Sequence, residues 1–233
     1  MPELSFAPLL QGDYLAWLLA GLQLSLLLTG LTLTTALPLA IVIALLRISP
    51  LRPLQLVGEA YVEAVRCVPL LVHMLFWYFG VPELLPDGIK ETVYAGHIEV
   101  VSAWAALTLY TAAYMSEDIR SGVRAVPGAQ LSAAMALGFS YLAAMRLVVL
   151  PQALRITFPP LLSQTLNLWK NTSIATVIGT AELMYQAQRV ESATFRGFET
   201  FALVTAAYLS VSLLLTALAQ WAQARLSPNV ARR

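Results

Sequence analysis

The chain has 233 residues, of which 58% are hydrophobic and only 12% are charged. Its mean hydropathy is +0.71. A typical soluble domain carries about 25% charged residues, so this composition excludes a water-facing globule and predicts a membrane protein. The net charge of +1 gives no basic excess for binding nucleic acid, and the single cysteine, Cys67, excludes an internal disulfide.

Long runs without charged residues divide the chain into membrane spans. No charge lies between Asp13 and Arg47, for example, and a bilayer core requires about 20 helical residues. We therefore predict an all-α, single-domain membrane protein covering residues 1–233. Its five transmembrane helices are expected at 15–46, 56–80, 98–119, 155–180 and 200–224.

The arginines and lysines predict the orientation of these spans. With the N-terminus outside and the C-terminus in the cytoplasm, only Lys90, Arg189 and Arg196 fall in outside loops, whereas ten arginines fall on the cytoplasmic side. This asymmetry follows the positive-inside rule. The expected location is the cytoplasmic (inner) membrane of a bacterium, with lipid as a partner.

The segment at 120–154 is too interrupted to span and is predicted to be a cytoplasmic loop. Pro127 and Gly128 end the preceding helix, a short alanine-rich helix reaches Gly138, and a second short helix from about Ser140 stops before Pro151. The small residues of the first helix favour insertion into a groove on a partner protein. An amphipathic loop helix resting on the membrane surface is the alternative.

The loop also carries a spaced motif. Ala133-Ala134, Gly138, Val148 and Leu150-Pro151 resemble the EAA loop of ABC importer permeases, in which Glu-Ala-Ala is followed at fixed spacing by Gly, Ile and Leu-Pro. Ser132 replaces the glutamate and Val148 the isoleucine. Four further segments are similar, in order and spacing, to the polar amino acid branch of this family: YVEAVRCVPLL (61–71), AAYMSEDIRSG (112–122), LPQALRITFPPLL (150–162) and LNLWKNTSIATVIGTAEL (166–183).

This resemblance, which covers residues 14–226, implies a type I ABC importer permease. It implies that a dimeric ATPase docks on 128–146, with Gly128, Ser132, Ala133, Ala134, Gly138 and Pro151 as the coupling residues. It also implies a second permease subunit, identical or homologous, and an extracytoplasmic solute-binding protein. Because the glutamate charge is missing at Ser132, we expect slightly altered docking without its loss.

Lys170 is the only charged residue within the predicted fourth span. An ionisable residue in the membrane is costly and marks a functional site by default. It is followed by Asn171, Thr172 and Ser173 where the family has Lys-Asp-Thr-Ser. Two interpretations stay open: Lys170 pairs with a glutamate or backbone carbonyls to hold a helix break, or this polar segment lines the substrate path.

Prolines and an arginine are assigned structural or gating roles. Arg66 and Pro69 resemble the family's Arg-x-x-Pro at the start of the second span, where Arg66 either anchors the helix by pairing with Glu63 or a phosphate, or takes part in gating. Pro159 and Pro160 are expected to kink the entry of the fourth span.

Several classes of site are absent from the sequence. No Gly-x-x-x-x-Gly-Lys-Ser/Thr loop occurs, so ATP and magnesium are expected in the partner ATPase and no cofactor in this chain. His73 and His97 lack metal-ligand spacing, and no serine-hydrolase motif occurs, so neither a metal site nor an enzyme is predicted.

The function is predicted to be import of a polar amino acid, with glutamate or aspartate favoured by the SAA form of the loop and by WYFGVPELLP (77–86). The alternative is a stand-alone secondary carrier, although no internal repeat supports it.

Overall fold

The computed structural model describes residues 4–226. Within that range the chain is helical and contains no β-strand. Ten α-helices are numbered here in chain order: α1 Gly12–Ile48, α2 Arg52–Arg66, α3 Leu70–Leu75, α4 Asp87–Ala95, α5 Ile98–Arg124, α6 Gly128–Ala136, α7 Tyr141–Ala144, α8 Leu150–Asn171, α9 Leu183–Thr194 and α10 Gly197–Leu226. Short 3₁₀ helices occupy Ala7–Leu10, Val81–Leu84 and Thr172–Ile178, and π-helical turns occupy Phe76–Gly80 and Met145–Val149.

Four helical stretches of the described residues are long and apolar enough to cross a membrane: Gly12–Ile48, Ile98–Arg124, Tyr141–Ile178 and Gly197–Arg225. A fifth crossing is counted if the bent pair Arg52–Arg66 and Leu70–Leu84 forms one span. The all-α membrane class predicted from composition is therefore confirmed, as are long helices over four of the five predicted spans.

The second predicted span, 56–80, is wrong as one continuous helix. The chain bends by 99° between Arg52–Arg66 and Leu70–Leu84. Pro69 causes the break, because its ring disfavours helical geometry in the residue before it and it has no N–H to continue the hydrogen-bond ladder. Pro69 instead takes the N-cap position of α3, with ψ of 144°.

The predicted stop before Pro151 is also wrong. Helical structure runs without interruption from Tyr141 to Ile178, so the fourth membrane helix begins well before residue 155 and includes the end of the predicted loop 120–154. The π-helical turn Met145–Val149 precedes the proline, and the N–H of Leu150 donates to the carbonyl of Met145. This wider turn accommodates a residue that cannot donate its own backbone hydrogen bond.

The residues divide into two compact units. The first comprises residues up to Thr34, Val68–Tyr110 and Leu166–Leu215, and the second comprises Thr35–Cys67, Thr111–Thr165 and residues from Thr216 onward. Helices α1, α5, α8 and α10 each contribute to both units.

The first unit has two apolar clusters. One joins α3, α5, the end of α8 and the 3₁₀ helix Thr172–Ile178. Its buried residues include Leu70, Met74, Leu107, Leu168 and Ile178. The other joins the start of α1 to α9 and α10 through Leu18, Leu183, Ala187, Val190 and Val204. The first cluster has buried members on both sides of the polar segment 170–173, namely Leu168 before it and Ala175 and Ile178 after it.

The second unit has a smaller apolar cluster where the connection between α5 and α8 begins and ends. Val126, Val149 and Ala153 form its buried centre, and Leu131 and Met145 pack against it. Gly122 of α5 lies so close to Thr157 of α8 that a Cβ there would come 1.9 Å from the threonine hydroxyl oxygen. The connection is therefore fixed to both helices that it joins.

Candidate functional site

The connection between α5 and α8 is a helix–turn–helix, as predicted, and Gly138 makes its turn. Gly138 has φ of +91°, a left-handed conformation that favours glycine. Its N–H donates to the carbonyl of Met135, and the N–H of Phe139 donates to that of Ala134. These two bonds form a Schellman motif, which ends α6 at a defined angle. The side chain of Ser140 then caps the next helix by accepting from the N–H of Ala143 at 3.3 Å.

The surface of this connection is more apolar and less flat than its small residues suggest. Ser132 and Ala133 are exposed and Ala134 is buried, but large side chains project around the turn. Leu137 is 81% exposed and Leu142 is 75% exposed. Met135, Phe139, Tyr141 and Leu147 are exposed beside them. We name this surface, formed by residues 135–147, the apolar turn.

A charged cluster in the second unit links α1 to α5. The carboxylate of Glu117 accepts from the guanidinium groups of Arg47 and Arg120. The Arg47 side chain is only 12% exposed, so the cluster is partly buried. Beside it, Asp118 accepts from the side-chain amide of Gln164 in α8 at 3.0 Å.

Arg66 lies at the end of α2, immediately before the break at Pro69. Its guanidinium carbon stands 5.0 Å from the ring centre of Tyr114 in α5, a cation–π contact. The predicted pairing with Glu63 does not occur among the described residues. The anchoring interpretation gains support from this contact, and gating by Arg66 stays a prediction.

The polar segment at 170–173 lies in the first unit, where α8 gives way to a 3₁₀ helix. The hydroxyl of Thr172 donates to the carbonyl of Trp169 at 2.8 Å, and that of Ser173 donates to the carbonyl of Lys170 at 2.7 Å. These bonds satisfy carbonyls that the α-helix leaves free at its end. Thr172 is fully buried, so in this conformation it supports the segment from inside.

Lys170 and Asn171 differ from the two hydroxyl residues. Lys170 is exposed and Asn171 is half-buried. Neither side chain has a hydrogen-bond or ion-pair partner among residues 4–226, so the predicted pairing of Lys170 with a glutamate or a carbonyl is not present there. The exposed polar residues Asn167 and Ser163 lie one and two turns earlier on the same helix.

Pro159 and Pro160 lie inside α8, which continues through both. The hydroxyl of Ser163, about one turn later, donates to the carbonyl of Pro159 at 3.3 Å.

Glu182 is a fully buried carboxylate that lies between the 3₁₀ helix Thr172–Ile178 and α9. It caps α9, accepting from the N–H groups of Met184 at 3.0 Å and Tyr185 at 2.9 Å. It also accepts from the hydroxyls of Ser25 in α1 at 3.2 Å and Tyr208 in α10 at 3.1 Å. Burial raises the pKa of the Glu182 carboxyl despite these four donors, which lower it. Glutamate is not among the usual N-cap residues, so the local sequence carries no signal for this role.

The connection at 81–97 carries a second, exposed polar group. Glu83 accepts from Lys90 and from the hydroxyl of Tyr94 at 3.1 Å, joining α4 to the preceding 3₁₀ helix. The hydrogen bond to Glu83 raises the pKa of the Lys90 ammonium.

A family model matches residues 36–232: the binding-protein-dependent transport system inner membrane component. The chain belongs to this family.

The relatives with similar sequences are named as amino acid permeases. The chain is 38% identical over 219 residues to a probable glutamine ABC transporter permease of Bacillus subtilis, covering 93% of this chain and 96% of the relative. It is 33% identical to the glutamate/aspartate import permease protein GltJ of Escherichia coli K12, with 90% and 87% covered. An arginine transport system permease of B. subtilis is 32% identical, with 91% and 94% covered.

Two further comparisons bear on assembly and fold. A second glutamate/aspartate import permease, GltK of E. coli O6:H1, is 33% identical, with 86% and 92% covered. The crystal structure of an amino acid ABC transporter with histidines superposes with a TM-score of 0.85 at 31% identity, covering 96% of this chain and 99% of the other. The chain is thus a multi-pass inner membrane protein and a permease subunit of an amino acid ABC transporter.

Proposed function

We propose that this permease forms one half of the pathway of an ATP-driven importer and that a separate ATPase dimer docks on residues 128–146. The apolar turn carries the proposal. Leu137 and Leu142 project from a connection between two membrane helices, where a group of exposed large apolar side chains is typical of a protein contact. The Schellman motif at Gly138 gives this surface a fixed shape, which suits insertion into a groove.

The attachment of the apolar turn supports a mechanical role. Val126, Val149 and Ala153 join the connection to the ends of both α5 and α8. A displacement of the turn would therefore move both helices, and alternating access would follow as a rigid-body motion. ATP and magnesium would be bound by the ATPase, because this chain has no phosphate-binding loop.

A second permease subunit is required to enclose a path. The presence of two distinct glutamate/aspartate permeases among the relatives, GltJ and GltK, supports a pair of similar but different chains. A pair of identical chains is the other arrangement. A partner with the complete Glu-Ala-Ala motif would compensate for Ser132.

The name of the family supports an extracytoplasmic binding protein. With the N-terminus outside and the C-terminus in the cytoplasm, the connections 81–97 and 183–199 would receive that protein. Arg189 contributes to the second of these surfaces: it is exposed and stacks over Trp17 with its guanidinium carbon 3.6 Å from the ring centre.

The substrate class is polar amino acids, with glutamate or aspartate favoured. The relatives named for glutamine, glutamate/aspartate and arginine agree with the class and differ in the member. Lys170 supports an acidic member, because its exposed ammonium has no anionic partner among the described residues and would pair with a substrate carboxylate. Lys170, Asn171 and Ser173 would line the path, with Thr172 behind them.

The proposal is tested by expressing the tagged chain together with its neighbouring genes and identifying the proteins retained after mild detergent extraction. We expect a stoichiometric ATPase, whose retention falls at least tenfold in Leu137→Glu and Leu142→Glu. Gln223→Glu is the matched control, since it adds the same charge to an exposed position of α10, outside the docking segment, without removing an apolar side chain. A chain that purifies alone and transports an amino acid in liposomes without ATP would establish a secondary carrier instead.

A further inference from the structure

Helix α2 presents three stripes, each with the spacing of one helical face. One stripe is buried and consists of Gly58, Val62 and Val65. A second is polar and consists of Arg52, Gln55, Glu59, Glu63 and Arg66. The third is exposed and apolar and consists of Pro53, Leu56, Val57, Ala60 and Ala64. For a helix that contacts only protein and water, an exposed apolar stripe is unfavourable.

The buried stripe packs against the helix's own unit. Gly58 provides the space for the stem of Arg47, because a Cβ at residue 58 would lie 2.6 Å from the Arg47 Cγ. Val62 is 2% exposed and Val65 is 8% exposed. Through these contacts α2 lies along the protein side, and the apolar stripe faces away from it. The polar stripe lies between the two, and its last residue, Arg66, reaches Tyr114 of α5.

The chain places α2 next to the membrane boundary. It begins after a three-residue link, 49–51, that follows the end of α1, and α1 is one of the helices apolar enough to span. Arg47 and its ion pair with Glu117 mark that end of α1 as the level where charged groups begin. The start of α2 is therefore at the surface of the bilayer.

A crossing by α2 itself is disfavoured by length and by charge. Its 15 residues span about 22 Å, whereas the hydrocarbon core is about 30 Å thick. Glu59 and Glu63 lie in its middle and last turns, so a crossing would place both carboxylates among acyl chains. Lying flat, the helix keeps all five residues of the polar stripe on one side.

We infer that α2 is an interfacial helix that lies in the plane of the membrane surface where α1 ends, with its apolar stripe against phospholipid acyl chains. The polar stripe then faces water and headgroups, apart from Arg66 over Tyr114 of α5, and Gly58 of the buried stripe faces α1. Only a bilayer surface supplies hydrocarbon and water to adjoining faces of one helix. Leu56 and Val57, which are 50% and 61% exposed, are the side chains that enter the lipid. The break at Pro69 then turns the chain from the surface into the membrane.

The inference is tested by spin labelling the complete transporter, with its partner subunits, in phospholipid vesicles. Single cysteines are introduced at Val57, Ala60, Glu63 and Ala64 in a Cys67→Ser background, and all four positions are exposed. Collision rates with oxygen and with a water-soluble nickel chelate give the depth of each label. Substrate-stimulated ATP hydrolysis of each variant confirms assembly.

We expect labels at 57, 60 and 64 to share one depth just below the headgroups, with oxygen collisions favoured. The label at 63, next to 64 along the helix axis, is expected to favour the nickel chelate by about tenfold. A depth that instead changes steadily by about 10 Å from 57 to 64, with 63 and 64 alike, would make α2 part of a membrane span. Protection of 57, 60 and 64 from both reagents would place a protein subunit on the stripe and overturn the lipid assignment.

Discussion

Because Gly122 has no side chain, α5 and α8 can pack closely at this residue. A methyl group at this position would meet the Thr157 hydroxyl oxygen at 1.9 Å and the Ala153 carbonyl oxygen at 3.3 Å. We predict that Gly122→Ala destabilises the protein by about 1–3 kcal/mol, the range for overpacking, and lowers its apparent Tm in detergent. Gly30→Ala is the control, since it is also inside a helix but has no atom within 4 Å of the new methyl group. Adding Thr157→Ala should restore the Tm of Gly122→Ala, and failure to do so would refute the close approach of α5 and α8.

Lys170 is predicted to act through its charge. If its ammonium pairs with a substrate carboxylate, Lys170→Gln removes a charge-assisted hydrogen bond of about 1.5–3 kcal/mol, or roughly 10- to 150-fold in affinity. The KM for transport should rise by that factor in Lys170→Gln and by much less in Lys170→Arg. Lys90→Gln is the matched control, because Lys90 pairs with Glu83 in an exposed connection. An unchanged KM in Lys170→Gln would remove Lys170 from the path.

Individual residues were predictable where a type of side chain implies its environment. Lys170 is identifiable because a charge in an apolar run is rare, and Gly138 because a glycine between two short helices predicts a left-handed turn. Glu182 was missed because its burial depends on hydroxyl donors from Ser25 and Tyr208, which are 157 and 26 residues away. No local pattern reports such partners.

At the scale of elements, the turn between α6 and α7 is predicted to depend on backbone conformation. Gly138 and Gly128 both have free space around a new methyl group, but only Gly138 has a positive φ. Gly138→Ala should therefore strain the turn by about 1–2 kcal/mol and reduce substrate-stimulated ATP hydrolysis of the complex severalfold. Gly128→Ala should leave it unchanged. Equal activities would show that the shape of this turn does not control coupling.

The prolines show what the sequence could and could not predict about the helices. The break at Pro69 falls inside the predicted span 56–80. The direction of α2 was missed because the residues on both sides of the proline were assigned to one span. The stop before Pro151 did not occur, since the π-helical turn accommodates the ring and the buried Val149 and Ala153 hold the helix in place. Tertiary packing, which overrides local preference, decided between the two outcomes.

For the whole molecule, the membrane class and the approximate number of crossings followed from the apolar composition and the gaps between charges. The orientation is still a prediction. In a Cys67→Ser background, Gln11→Cys and Gln223→Cys place one label near each end, and both positions are exposed. In intact cells an impermeant maleimide should label residue 11 and leave residue 223 unlabelled until the membrane is permeabilised. The reverse pattern would invert the topology.

The two π-helical turns determine how their helices would respond to the deletion of one residue. A π turn accommodates one residue more than the α-helix around it, so Met145–Val149 behaves as a one-residue insertion within a helix. Deleting one residue there would give a regular α-helix and leave the residues before it facing nearly the same direction relative to α8, because the π turn already absorbs the extra residue. A deletion in the regular part of α8 would instead rotate every residue before it by about 100°, and the apolar turn would face another direction. In an alignment of permeases, a single-residue gap at 145–149 would thus preserve the direction of docking, whereas a gap within the regular helix would change it.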